Sequence, residues 1–126
     1  MKPLVYKKAK RVRHPAPQRI RFTITKGDTV QVISGDDKGK RGRVLRVHPK
    51  TGRVTIEGVN IVKRHRRATQ TTEAGIVEFP APIHHSKAML LDPKSGEPTR
   101  VRRRKDTDGT LERIAVKSEQ SIPRNR

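Results

Sequence analysis

The chain has 126 residues, of which 31 are Lys or Arg and 12 are Asp or Glu, so its formal net charge is +19. It is long enough for one domain with tails, and the absence of cysteine excludes disulfides and thiolate metal sites. No stretch approaches the ~20 apolar residues of a membrane-spanning helix, so we expect no membrane partner. Leu, Ile, Val and Phe make up 28 of the 126 residues, which is close to the level of roughly 20% below which charged chains are disordered. The composition therefore predicts a small aliphatic core, basic extensions and a polyanion as partner.

The first 22 residues are a basic segment with eight Lys or Arg and no acidic residue. Pro3, Pro15 and Pro17 break any helix, and no apolar period runs through the segment. We expect a solvated extension in the free protein that lies along phosphates when a nucleic acid is bound. The segment lacks the apolar core of a secretory signal, so the sequence predicts a cytoplasmic protein.

Three segments then alternate between apolar and polar residues, at 30–32, 44–47 and 54–56. A period of two is typical of half-buried strands. The first two segments are joined by residues 35–42, GDDKGKRG, which contain three glycines, two acidic and three basic residues. Glycine permits positive φ and lets another molecule approach the backbone, so this connection suits a phosphate chain. The RNA-binding candidates here are Lys26, Gly35, Lys38, Gly39, Lys40, Arg41, Gly42 and Arg43.

Residues 59–62 continue the apolar pattern, and we expect them to form the next strand of a small barrel, which needs about five strands to close. Residues 63–75, KRHRRATQTTEAG, are polar, and their first five residues are basic or histidine. Because the apolar pattern resumes only at 76–79, this stretch predicts a surface loop longer than a usual hairpin connection. The basic cluster at its base is the second group of RNA-binding candidates: Lys63, Arg64, His65, Arg66 and Arg67.

The last third of the chain has a short apolar strand at 88–91, a turn at 92–96 and a basic strand at 100–105. Five of the six residues in that basic strand are Lys or Arg, which is more than edge protection requires. We therefore expect it to face phosphates. Asp108-Gly109 predicts a hairpin turn before a strand at 114–116, and residues 118–126 are expected to fray. The third group of RNA-binding candidates is Arg100, Arg102, Arg103, Arg104 and Lys105.

The sequence shows no catalytic constellation. Asp36 and Asp37 adjoin basic residues, but the spacing suggests no third carboxylate, and a solvated Asx turn is the simpler interpretation. The five histidines lack the i,i+4 pairing of helical zinc ligands, and no glycine-rich phosphate loop leads from a strand into a helix. We therefore predict a protein that is not an enzyme and has no metal site, cofactor or small-molecule substrate.

Three blocks of sequence together resemble a known family. They are residues 26–58, KGDTVQVISGDDKGKRGRVLRVHPKTGRVTIEG; residues 57–65, EGVNIVKRH; and residues 86–101, SKAMLLDPKSGEPTRV. The first block resembles the KOW motif. In this order, the three resemble the bacterial form of the family of large-subunit ribosomal protein twenty-four, over roughly residues 24 to 117.

The resemblance implies an all-β fold: a small SH3-like KOW barrel with a projecting β-hairpin loop, a second short β region and basic extended tails. We accordingly predict a basic N-terminal extension at 1–22 and the barrel at 23–66. The projecting loop and C-terminal β region would occupy 67–117, and a tail 118–126. The basic extension departs from the family, whose bacterial members begin close to the first KOW strand.

The family implies a structural constituent of the large ribosomal subunit. Such a protein binds 23S-type ribosomal RNA beside neighbouring ribosomal proteins, early in assembly, with its loop near the mouth of the nascent-chain tunnel. Because aromatic residues are few, recognition of RNA shape and backbone is the expected mode.

Two other functions share parts of this pattern. A transcription elongation regulator of the NusG type also carries a KOW barrel, but it would pair that barrel with an α/β domain, and no helical period of that kind occurs here. A free-standing RNA chaperone shares the electrostatics alone.

Overall fold

The structure is a computed structural model that describes residues 20–124. The described part is almost entirely β-strand, with one short 3-10 helix at His85–Lys87. Most of the predicted basic extension, residues 1–19, lies outside the described residues, as do residues 125 and 126. The strands are β1 Thr29–Val32, β2 Arg41–His48, β3 Arg53–Ile56, β4 Ile61–Arg66, β5 Gly75–Pro80, β6 Ile83–His84, β7 Ala88–Leu90, β8 Val101–Lys105, β9 Leu111–Ala115 and β10 Ser121–Ile122.

The strands form three antiparallel sheets. A five-stranded sheet has the order β6-β3-β2-β1-β7, a three-stranded sheet the order β10-β9-β8, and β4 and β5 form a two-stranded ribbon. The prediction of a small all-β, SH3-like fold is confirmed. No helix within residues 20–124 is both long and apolar enough to cross a membrane.

The core lies on one face of the five-stranded sheet, where the predicted alternation places its apolar side chains. Val30, Val44, Val54 and Ile56 are all buried there, and each buried side chain of this size contributes about 1.5–3 kcal/mol. Val47 packs against the same core, although its spacing of three from Val44 would place it on the opposite face of a regular strand. A register shift between Val44 and Arg46 inserts one extra residue and brings both side chains inward.

The expectation that residues 59–62 add the next barrel strand is wrong. Val59 is buried in the core, but β4 begins at Ile61 and pairs only with β5. Positive φ angles at Gly58 and Asn60, +72° and +52°, turn the chain away from the sheet. β6 and β7 occupy the two edges of that sheet instead, so hydrogen bonding joins segments on both sides of the boundary predicted at residue 66. That division of the chain stays a prediction.

The polar stretch 63–75 is also not a single loop. Residues 63–66 extend β4, and the pairing continues from Ile61 opposite Pro80 to Arg66 opposite Gly75. The connection is therefore residues 67–74, in which Thr69 and Thr72 exchange backbone hydrogen bonds of 2.8 and 3.2 Å. The basic cluster predicted at the base of a loop thus belongs mainly to a strand.

In the C-terminal region, the basic strand and the hairpin turn are confirmed: β8 pairs with β9, and Gly109 has φ +78°. The expectation that residues 118–126 fray is wrong for the part that is described. β10 pairs with β9, Ile122 is buried, and the Ser118 hydroxyl donates to Asp92. These contacts fix the chain as far as residue 123, because Arg113 donates to the Pro123 carbonyl.

Candidate nucleic-acid interface

The connection between β1 and β2, residues 33–40, is held by its own backbone. Gly39 N–H donates to the Val32 carbonyl at 2.8 Å, and Val32 N–H donates to the Lys40 carbonyl at 2.9 Å. Gly35 and Gly39 have φ of +98° and +90°, which only glycine adopts without strain. Nothing lies within 4 Å of where a Cβ on Gly39 would be. The turn is thus fixed in shape and open on the side of Gly39, as the sequence predicts for a backbone that another chain approaches.

Asp37 fastens this turn to the start of the β4–β5 ribbon. Its carboxylate accepts a hydrogen bond from Lys40 Nζ at 2.5 Å and one from the Asn60 backbone N–H at 2.7 Å. The Lys40 bond, and then the Asn60 bond, hold the pKa of Asp37 below its ordinary value. Asp37 is therefore a structural link rather than the solvated Asx turn that we expected. Lys40 is engaged within the protein, while the side chain of Lys38 is exposed and has no partner among residues 20–124.

Strand β2 carries the next candidates on its solvent side. Arg41 lies opposite Gln31 and Arg43 opposite Thr29, and all of them point away from the buried Val30 and Val44. Arg41 Nε donates to Gln31 Oε1 at 3.2 Å. Lys26, just before β1, is exposed as well.

Gly42 has a different explanation from the one that the sequence suggests. A Cβ at this position would lie 2.3 Å from the Glu57 carbonyl oxygen and 2.7 Å from Ile56 Cγ2. Gly42 is required because two segments of the protein pack closely there, whether or not RNA approaches.

The second group of candidates lies on the β4–β5 ribbon, whose residues 61–79 include none that is buried. Lys63 Nζ is 3.2 Å from Glu78 Oε1, so this charge is paired across the two strands. Arg64 and Arg66 take part in none of the ion pairs found in the described part of the chain. His65 and Arg67 are also exposed.

The third group lies on or beside β8, where successive side chains point to opposite faces of the strand. Arg103 lies opposite the buried Arg113, and its Nη2 donates to the Phe22 carbonyl at 3.1 Å, so it holds the chain where it enters the fold. Arg102 and Arg104 lie opposite Ile114 and Glu112 and are exposed. Arg100 and Lys105, at the two ends of the strand, are exposed too.

The candidates thus lie on three separate sheets and are not gathered in one pocket. Sequence reasoning missed Lys87, an exposed residue whose Nζ lies 3.8 Å from where a Cβ on Gly35 would be. The pairing of Val32 with Ala88 and the hydrogen bond from Ile33 N–H to the Lys87 carbonyl bring it to the turn. That contact between distant segments has no signature in the sequence.

Comparison with known proteins identifies the family. Residues 26–57 match the KOW motif, and residues 59–122 match the model described as the C-terminal domain of large ribosomal subunit protein uL24. The protein of that name from Staphylococcus saprophyticus is 53% identical over 103 residues, which cover 81% of this chain and 97% of the relative. The one from Geobacillus stearothermophilus is 56% identical over 96 residues, 75% of this chain and 92% of the relative. The chain belongs to the uL24 family.

The family prediction is confirmed, and with it the prediction that the chain is a structural ribosomal protein and not an enzyme. The match to the uL24 C-terminal domain follows the KOW motif directly, and the described residues contain no α-helix of the α/β domain that a NusG-type regulator would carry. The uL24 family therefore replaces that alternative. Within residues 20–124, no group of three or more His, Asp or Glu side chains could hold a metal ion.

The histidine pair of this uL24-family chain serves the fold. His85 Nδ1 lies 3.0 Å from the Gly52 carbonyl oxygen, and the His85 ring meets the Phe22 ring edge-on at 4.9 Å between centroids. His84 Nδ1 lies 2.7 Å from Ser86 Oγ. Both imidazole rings therefore lie within hydrogen-bonding distance of neighbouring groups of the fold.

Proposed function

We propose that this uL24-family chain binds 23S-type ribosomal RNA of the large subunit, chiefly through phosphate contacts from three elements. The observation that carries the proposal is the set of exposed, unpaired cationic side chains on β2 and its turn, on β4 and on β8. Even if every Asp and Glu were paired with a base, 19 of the 31 Lys and Arg side chains would have no carboxylate partner, and they repel one another. A polyanion that contacts all three elements would relieve this repulsion.

The contact residues in this proposal are those predicted from the sequence. The structure ranks them by whether each side chain already has a partner within the protein. Lys38, Arg43, Arg64, Arg66, Arg102 and Arg104 present side chains without a protein partner in the described part. Three others already have a partner: Lys40 bonds to Asp37, Lys63 pairs with Glu78, and Arg103 donates to the Phe22 carbonyl. We expect the first set to contribute more per residue to RNA affinity.

The finer roles rest on the family resemblance. We propose that the chain joins the large subunit early in assembly, beside neighbouring ribosomal proteins in the cytoplasm. We also propose that the tip of the β4–β5 ribbon lies near the exit of the nascent-chain tunnel. The ribbon supports this placement, because paired strands hold the 67–74 connection away from the five-stranded sheet. For the basic extension, residues 1–22, we propose RNA phosphates as the partner.

Salt dependence of binding tests the central claim. The logarithm of the affinity for 23S-type RNA should fall linearly with the logarithm of the salt concentration, with a slope of about −0.7 to −0.9 per phosphate contacted. The chain should also stay with purified large subunits through a high-salt wash, which a free-standing RNA chaperone would not. An affinity nearly independent of salt would contradict the phosphate contacts, and absence from large subunits purified at ordinary salt would contradict the ribosomal role.

A further inference from the structure

The β4–β5 ribbon has two faces of different chemistry. In an antiparallel pair, residues directly opposite each other share a face. One face carries Ile61 and Pro80, the ion pair of Lys63 with Glu78, and His65 with Ile76. The other, which we call the arginine face, carries Val62 with Phe79, Arg64 with Val77, and Arg66 with Gly75. The first face neutralises its lysine, whereas the arginine face has two positive charges and no carboxylate.

Phe79 lies on the arginine face outside the core. Phe79 is 37% exposed and does not belong to the buried core cluster. The other phenylalanine, Phe22, does pack there and also contacts the His85 ring. No other aromatic ring contacts Phe79 within residues 20–124. An exposed benzene ring beside two unpaired arginines is the combination that binds single-stranded nucleic acid, since every base offers a flat face to stack on.

The spacing along the arginine face suits a chain of nucleotides. Arg64 and Arg66 are two residues apart on one strand, about 7 Å, and point the same way. Gly75, opposite Arg66, has nothing within 4 Å of where its Cβ would be, so no side chain obstructs a backbone that passes over Arg66. The face is apolar at Val62 and Phe79, near the five-stranded sheet, and basic toward the tip.

We propose that Phe79 is a stacking platform for an unpaired RNA base, with Arg64 and Arg66 binding the phosphates next to that base. The ligand class is single-stranded RNA, such as a loop or bulge of a folded RNA, whose unstacked bases can be splayed outward. This inference rests on the proposed RNA-binding function and adds a contact to the base itself. It also revises the expectation that recognition involves only RNA shape and backbone.

The test compares two probes that differ only in their bases. One is an oligoadenylate of about 12 nucleotides, within the usual site size for single strands. The other is a strand of equal length in which every base is replaced by an abasic site. Phe79→Ala should weaken binding to oligoadenylate about 5- to 100-fold and leave binding to the abasic strand unchanged. Arg64→Gln with Arg66→Gln should weaken binding to both probes and reduce the salt slope by about 1.4.

Two further variants separate stacking from support of the ribbon. Phe79→Leu keeps an apolar side chain opposite Val62 but removes the ring, so it should lose affinity for oligoadenylate nearly as Phe79→Ala does. Phe79→Trp should retain binding, and because the chain has no other tryptophan, its fluorescence should be quenched by oligoadenylate and not by the abasic strand. Val77→Ala, on the same face, is the matched control and should bind both probes as the wild type does.

The possible outcomes distinguish failure of the stacking proposal from failure of the proposed RNA-binding function. If Phe79→Leu binds oligoadenylate as tightly as the wild type, or Phe79→Ala weakens both probes equally, Phe79 supports the ribbon and the stacking proposal is wrong, while RNA binding stands. If the wild type binds 23S-type RNA but neither probe at low salt, the stacking proposal is wrong. If it also fails to bind 23S-type RNA, the proposed function itself is overturned. Should Phe79→Ala unfold the ribbon, the comparison of Phe79→Leu with Phe79→Trp decides.

Discussion

Arg113 and Asp28, 85 residues apart in the sequence, form a doubly hydrogen-bonded ion pair in the interior of the protein. Arg113 Nη1 lies 2.5 Å from Asp28 Oδ2, and Nη2 lies 3.0 Å from Oδ1. The two side chains are only 1% and 2% exposed. Arg113 also donates to the carbonyls of Thr23 and Pro123. A single guanidinium therefore joins Asp28, the residue before β1, to the segment that precedes it and to the C-terminal segment.

Removing one partner of this pair should be costly. We expect Arg113→Ala to lower the free energy of unfolding by about 3–5 kcal/mol, because it leaves the Asp28 carboxylate buried without its counter-charge. Urea unfolding of Arg113→Ala and of the wild type measures this loss of unfolding free energy. Arg113→Met combined with Asp28→Asn should recover part of the loss, since it removes both charges. A cost below 1 kcal/mol for Arg113→Ala would mean that the pair is not buried as described.

Gly42 and Gly39 should respond differently to alanine. Gly42→Ala should destabilise the protein by about 1–3 kcal/mol through overpacking, because its Cβ would collide with the Glu57 carbonyl. Gly39→Ala has open space and should cost about 1–2 kcal/mol through its positive φ alone. The measurement is chemical unfolding together with RNA affinity.

A second substitution tests whether overpacking causes the loss of stability in Gly42→Ala. Glu57 contacts the Gly42 position through its backbone, so truncating the Glu57 side chain should not rescue Gly42→Ala. Truncating Ile56 to Val removes Cδ1 but keeps Cγ2, the atom that would collide, so it should not rescue the variant either. A fully stable Gly42→Ala would show that RNA approach, and not packing, explains that glycine.

The two lysines of the β1–β2 turn should separate binding from stability. Lys38→Glu should weaken affinity for ribosomal RNA about tenfold or more with little change in unfolding free energy, because the Lys38 side chain has no partner among residues 20–124. Lys40→Glu should weaken affinity and also destabilise the turn, since it places a second carboxylate beside Asp37. Recovery in purified large subunits, in competition with the wild type, gives the functional readout. Equal recovery of Lys38→Glu and wild type would contradict a contact at this turn.

Deleting residues 68–73 should leave incorporation into the large subunit almost intact. The deletion joins Arg67 to Ala74 and leaves a two-residue connection next to the Arg66–Gly75 pair, which is a length that hairpins use. The deleted segment carries one charge, Glu73, and shortening a surface loop changes closure entropy little. Its effect should appear as altered crosslinking between the ribbon tip and a nascent chain. Poor recovery in large subunits would show that the tip itself docks.

Asp92 should make stability depend on pH in the acid range. Its carboxylate is held by the Ser118 hydroxyl first, and also by Lys94 N–H and Ser95, which lower its pKa from the ordinary 3.8. A lowered pKa means that the unfolded chain binds the proton more readily. The stabilising contribution is therefore present above pH 3.8 and is lost as the pH falls through the lower, folded pKa. Between pH 5 and 3, the wild type should lose unfolding free energy faster than Asp92→Asn. Parallel curves would contradict this.

The sequence by itself determined the sheet core and favoured a polyanion as the partner. Alternation at Val30, Val44, Val54 and Ile56 is enough to define strands with one buried face, because a side-chain period of two has no other common explanation. The charge of +19 likewise needs no coordinates to favour a polyanion. The glycines at 35 and 39 were identified for the right reason, since positive φ is a local property of a tight turn.

Only the tertiary structure decided which segments lie side by side. Whether residues 59–62 or the later β6 and β7 complete the five-stranded sheet depends on the turn at Gly58 and Asn60 and on the long-range bond from Asn60 to Asp37. The short strand β10 looks like a tail because two residues carry almost no pattern. Its place comes from pairing with β9, from burial of Ile122 and from Arg113. The division of β8 into Arg103, which holds the chain, and Arg102 and Arg104, which face outward, follows from the register with β9. That register is a relation between two strands, which neither strand's sequence contains.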